Sequence, residues 1–224
     1  MTTVVGIRIP EINLALLVAD RQVTYSKTPE KYVYGRKVQA SKDGLYAFGH
    51  SGTLEKDLYA LTEKMTSGQI DMQKVLKKGK FPELRELNIS RLGNKMPSLD
   101  SLSSFLVISR FDKNPALYTC WPMGDVEPRE VTWIGSGSKS VEDYYKASQI
   151  ILESRNYTGS QRPATSDSLI RFGLEAVRYA QGRDLYSSGF DLIAMTPEKT
   201  IDCVNDLQDD FGKKIKKVQA KIKV

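Results

Sequence analysis

The sequence predicts an α+β domain in which helices cover the outer faces of antiparallel sheets. Three observations lead there. Strand-like runs come in pairs joined by short turns, and helical periods fall in separate blocks between those pairs. A length of 224 residues suits one domain with a sizeable core, here taken as 1–224.

Taken in order, residues 3–9 alternate loosely with β-branched side chains, and 13–19 form a short apolar run. Pro10-Glu11 between them reads as a hairpin turn. Residues 32–40 and 45–48 look like a second strand pair around Lys42-Asp43-Gly44. The period then changes: Leu54, Leu58, Leu61 and Met65 mark one helix face, with Thr53 as a plausible N-cap. The stretch 67–99 is irregular. It holds short helical patterns at 71–76 and 83–92, interrupted by Gly79 and Pro82.

Strands return at 103–110, 116–121 and 130–134, the first two separated by Asp112-Lys113-Asn114-Pro115. A helix should run from 138 to about 154, burying Val141, Tyr144, Tyr145, Ile151 and Leu152. After a polar loop at 156–165, a second helix turns Leu169, Ile170, Leu174 and Val177 inward. Residues 190–195 and 200–204 read as a last strand pair. Finally Val204, Leu207, Phe211, Ile215, Val218 and Ile222 repeat at 3, 4, 4, 3 and 4, so 205–224 should be a basic amphipathic helix with lysines outward.

Composition excludes several classes. The chain is 40% hydrophobic and 27% charged, and its longest apolar run, Leu14-Ala15-Leu16-Leu17-Val18-Ala19, is too short for a membrane span or a signal peptide. A cytoplasmic protein without membrane contact is expected. Cys120 and Cys203 cannot build a disulfide framework, and no Cys/His spacing for a metal and no cofactor motif is present. The net charge of +6 resides in Lys213, Lys214, Lys216, Lys217, Lys221 and Lys223. Without them the charge is about zero, so no nucleic-acid partner is expected.

The chemistry begins at Thr2. With Met1 removed, a terminal threonine carries a hydroxyl and an α-amine on one residue, nucleophile and base together. The amine titrates near 7.7–8.0, and a nearby cation lowers that value. A second-position threonine alone is equally a common strand start.

Downstream segments shift the balance. Val18-Ala19-Asp20-Arg21-Gln22-Val23-Thr24, Gly35-Arg36-Lys37-Val38, Ala47-Phe48-Gly49-His50-Ser51-Gly52, Gly135-Ser136-Gly137-Ser138 and Arg183-Asp184-Leu185-Tyr186-Ser187 follow in this order. Together with Thr2 they resemble the catalytic β-type subunits of the 20S proteasome, which are N-terminal nucleophile hydrolases. The resemblance implies a four-layer α-β-β-α sandwich and a threonine endopeptidase working through an acyl-threonine intermediate. It implies Thr2 as nucleophile, Lys37 as the cation, Asp20 as its partner and the Gly49 N–H as oxyanion donor. Ser136, Asp184 and Ser187 match the supporting group, although Ser188 stands where the family has glycine. Without the resemblance, Asp20 and Lys37 would be read as a structural ion pair and lone His50 as a structural histidine.

For substrate, Thr24 matches the residue that pairs with a bound peptide strand. Val23, Gly35, Gln39, Ala47, Ser51 and Glu55 match positions lining the first specificity pocket, where Glu55 would favour basic side chains. The implied partners are peptide or unfolded protein substrates, a homo-oligomeric ring or other proteasome-like subunits, and an ATPase unfoldase. Two alternatives stay open: a transpeptidase or protein ligase on the same fold, prompted by the irregular 67–99 stretch, and a non-catalytic structural subunit. The latter carries an N-terminal extension, which is expected to be missing here.

Overall fold

The computed structural model describes residues 2–24, 32–34, 36–52, 56–94, 102–156, 166–182 and 190–203. In chain order, β1 (Val4–Ile9) and β2 (Leu14–Asp20) form a hairpin. The turn between them is a single 3-10 turn, Pro10–Ile12, closed by Asn13 in the left-handed region at φ 47°. β3 (Gln22–Thr24) pairs with β4 (Tyr32–Tyr34), and β5 (Val38–Ala40) pairs with β6 (Tyr46–Ser51). The expected strand 32–40 is therefore two strands with different partners.

Three helices follow: α1 (Lys56–Ser67), α2 (Met72–Lys78) and α3 (Pro82–Asn94). Local chemistry divides them. Asp71 accepts the Lys74 N–H at 3.0 Å and starts α2. Gly79, left-handed at φ 67°, ends it, and Pro82 takes the first position of α3, where its missing N–H costs nothing. Next come β7 (Ser104–Ser109), β8 (Ala116–Cys120), β9 (Val126–Arg129) and β10 (Val131–Ile134). Last are α4 (Ser138–Asn156), α5 (Ser166–Gly182), β11 (Phe190–Met195) and β12 (Thr200–Asp202). The strand β9 had no sequence signal of its own. The expected helix at 205–224 lies outside the described residues.

The chain is mixed α+β with two antiparallel five-stranded sheets, ordered β10-β1-β2-β11-β12 and β5-β6-β7-β8-β9. Their cores follow the two-residue alternation of strands. Val4, Leu17, Ala19, Ile193 and Met195 of the first sheet cluster with Val38, Ala47, Leu106, Ile108 and Leu117 of the second. The other face of the first sheet, with Val5, Ile7, Leu16 and Val18, packs on Val141 of α4 and Ile170, Leu174 and Val177 of α5. The other face of the second, with Phe48, Phe105 and Val107, packs on Leu58 and Met65 of α1, Val75 of α2 and Phe81 and Leu84 near α3. This arrangement is compatible with a sandwich. Among the described residues no helix is long and apolar enough to cross a membrane.

Candidate active site

The hairpin β1–β2 places the start of the chain against Asp20. Its register, Val4↔Ala19, brings Thr3 opposite Asp20, the last residue of β2. The Asp20 N–H donates to the Thr3 carbonyl at 3.1 Å, and the Thr3 N–H donates to Asp20 Oδ1 at 2.6 Å. The second carboxylate oxygen, Oδ2, accepts from Lys37 Nζ at 2.7 Å. Lys37 arrives from the other sheet, in the residue just before β5, where its carbonyl accepts the His50 N–H at 3.2 Å.

The pair is 1% and 2% exposed. Burying two charges costs several kcal/mol of desolvation each, which good geometry only offsets, so such a pair is weak evidence of stabilisation. It does place a fixed cation one carboxylate away from the Thr2–Thr3 peptide. Thr2 itself is only partly buried.

The loop after β10 wraps the same peptide. Ser136 Oγ accepts the Thr2 N–H at 3.0 Å, and the Gly137 N–H donates to the Thr2 carbonyl at 3.4 Å. Both flanking glycines are sterically required. Gly135 has φ +103°, and a Cβ there would collide with the Thr2 carbonyl. A Cβ on Gly137 would collide with the Thr3 hydroxyl. In the sequence, Gly135-Ser136-Gly137-Ser138 reads as a loop around Ser136. Only the fold shows why glycines must flank it.

Two charged residues at this site, Asp191 and Arg21, are not among those the sequence singles out. Asp191 on β11 has no solvent exposure. Its Oδ2 accepts the Lys37 backbone N–H at 3.4 Å, and its Oδ1 lies 3.1 Å from Arg21 Nε, an ion-pair distance. Burial pushes its carboxyl up to about 6 against the opposing pull of Arg21. A lone aspartate inside the apolar run Phe190-Asp191-Leu192-Ile193-Ala194-Met195 was the available signal. Beside it, Arg36 pairs with Asp202 of β12.

No protein-family model matches this chain, and no curated protein does.

The remaining site residues divide. The His50 N–H to Lys37 bond makes Val38↔Gly49 a non-hydrogen-bonded pair, so the Gly49 N–H turns toward Leu106 on β7. Its α-carbon faces Val4, whose Cγ1 would lie 2.6 Å from an added Cβ. Gly49 is therefore a packing glycine within the ladder, a correction to the oxyanion expectation. Gly52, bent at φ +117° just past the last laddered residue, is the glycine at the strand's end. Ala47 is fully buried between the sheets.

Ser51 is buried and pairs with Ser104. Gln39 borders a groove of about 610 Å³ with Tyr59, Glu63 and Thr66, and its Oε1 accepts from Thr66 Oγ1 at 3.1 Å. Ala47 and Gln39 thus lie on opposite faces of the sheet. Val23 and Thr24 lie in β3, paired with β4 alone among the described residues. Gly35, Glu55, Asp184 and Ser187 lie outside the described residues.

His50 packs its ring against Phe105, with centroids 6.1 Å apart. Burial first, then the charge of Lys37, pull it down to about 4, so it is neutral at pH 7. Ser51 follows it on the opposite face of β6, so the two cannot form a nucleophile–base pair. Among the described residues no group of three or more His, Cys, Asp or Glu side chains is arranged to hold a metal ion.

Proposed function

We propose that this chain is an N-terminal threonine endopeptidase on a four-layer α-β-β-α fold of the N-terminal nucleophile hydrolase type. The observation that carries the reading is the double engagement of Asp20, which holds the Thr3 N–H at 2.6 Å and Lys37 Nζ at 2.7 Å, the latter in an ion pair closed to solvent. A buried lysine is costly, and desolvated charges concentrate at functional sites.

With Met1 removed, the Thr2 nitrogen becomes an amine. The Lys37 charge keeps it neutral, and Ser136 Oγ orients it. The amine takes the proton from Thr2 Oγ as that oxygen bonds to the scissile carbonyl carbon. The tetrahedral oxyanion needs backbone donors, each typically worth about 3–4 kcal/mol of barrier. The amide of Gly52, beyond the ladder, takes the role that the ladder denies Gly49. Collapse breaks the C–N bond, the leaving amine takes the proton, and an acyl-threonine ester remains. Water then attacks this ester with Thr2's amine as base, which regenerates Thr2.

The test combines N-terminal sequencing with a fluorogenic peptide panel. Wild-type protein starting at Thr2 should cleave peptides, and Thr2→Ala should not. An active preparation retaining Met1 throughout would overturn the reading, since an amide nitrogen is no base. Adding a peptide with a free amino terminus distinguishes hydrolysis from transfer to an amine.

A further inference from the structure

Lys37 is held at both ends. Its ammonium meets Asp20 at 2.7 Å, and its backbone N–H points to Asp191 Oδ2 at 3.4 Å. Asp191 belongs to β11, which pairs with β2 in the first sheet, whereas Lys37 leads into the edge of the second. The contact therefore ties the two sheets together at that lysine. The other Asp191 oxygen faces Arg21, the residue directly after Asp20. One solvent-free carboxylate thus touches the segment carrying Lys37 and the segment carrying Asp20.

We infer that Asp191 is a positioning residue, whose buried carboxylate holds the Lys37 backbone N–H and the Arg21 guanidinium together and so sets where Lys37 Nζ meets Asp20. An ionisable side chain in an apolar strand is a poor choice for packing alone, because burying it costs more than burying leucine. The 3.4 Å bond is long, but a charged acceptor strengthens it.

Around Asp191 stand Arg21, Lys37 and Arg36, with Asp202 as the opposing carboxylate and Asp20 beyond Lys37. Burial outweighs the cations, so the carboxyl takes up a proton near pH 6. Protonation removes the charge that holds Arg21 and weakens the hold on the Lys37 N–H. The activity readout of this inference rests on the proposed Thr2 chemistry, whereas its backbone readout does not.

The experiment compares full-length wild type, Asp191→Asn and Asp191→Glu, with circular dichroism as the check of folding. Hydrogen exchange read by mass spectrometry at pH 7.5 should show the Lys37 amide exchanging at least tenfold faster in Asp191→Asn, with β8 peptides unchanged. Peptide turnover should fall at least tenfold in kcat with KM within twofold, and Asp191→Glu should recover part of it. In wild type, log kcat should steepen from slope one toward two below pH 6, because two groups then take up protons, while Asp191→Asn keeps slope one. Unchanged exchange at Lys37, or Asp191→Asn matching wild type in kcat and pH profile, overturns the inference. Faster Lys37 exchange in Asp191→Asn, alongside a wild type no more active than Thr2→Ala, would support the positioning tie and refute the threonine chemistry instead.

Discussion

Asp20 and Thr3 are joined twice: the Asp20 N–H donates to the Thr3 carbonyl at 3.1 Å, and the Thr3 N–H donates to Asp20 Oδ1 at 2.6 Å. The first bond extends the β1–β2 ladder by one residue. The second occupies one carboxylate oxygen, leaving the other for Lys37. Thr2 thereby hangs from a rigid anchor rather than from a frayed strand end.

Removing Lys37 tests that anchor's purpose. Lys37→Met keeps most of the side-chain volume but removes the cation from Asp20 Oδ2, and breaking a buried pair in this way costs about 3–5 kcal/mol. Peptide turnover should fall beyond detection while circular dichroism still reports a folded chain. Activity within tenfold of wild type would return Lys37 to a structural role.

The pair should also be non-additive. Asp20→Asn and Lys37→Met each remove one half of the 2.7 Å pair, whereas the double variant removes both halves together. Urea denaturation should show the double variant losing less stability than the sum of the singles, by roughly 1–3 kcal/mol. Additive losses would mean that the 2.7 Å contact carries no coupling.

Gly135→Ala should be the most damaging single methyl at the site. The position has φ +103°, and its Cβ would meet the Thr2 carbonyl. Turnover should be lost together with a clear drop in melting temperature. Gly93→Ala is the control: nothing lies within 4 Å of its Cβ, and it sits inside α3. That change should stabilise by about 0.5–1 kcal/mol. Equal effects from the two would refute the steric account.

Stability should vary with pH through Asp191. Its carboxyl rises from an ordinary 3.8 to about 6 on folding, so the folded chain holds its proton more tightly than the unfolded one. The associated stability is present below about pH 4 and is lost as pH climbs through 6. Relative to Asp191→Asn, wild type should lose on the order of 3 kcal/mol over that window. Urea denaturation between pH 4 and 7 measures it, and a constant difference between the two proteins would exclude the shift.

Much of the secondary structure was legible because its signals are local. Leu58, Leu61 and Met65 repeat at helical spacing and are buried on α1. Val141 on α4, and Ile170, Leu174 and Val177 on α5, face the first sheet as their period predicts. Asp20, Lys37 and Ser136 stood out only through the order of five short segments taken together, since each segment is weak alone. By itself, then, the sequence determined the α+β class, most of the elements and three of the residues gathered around the Thr2–Thr3 peptide.

Tertiary structure decided what periodicity cannot carry. Residues 116–121 and 130–134 read as successive strands, yet β8 and β10 belong to different sheets. By sequence Gly49 and Ala47 match a donor and a pocket position, but ladder register and inter-sheet packing place both in the core. Asp191, Arg21 and the two glycines around Ser136 acquire meaning only through residues more than a hundred positions away in the chain. A strand's alternation says which residues share a face, not which sheet that face will meet. That choice belongs to the burial of two sheets against each other, and with it goes the meeting of Asp20, Lys37 and Asp191.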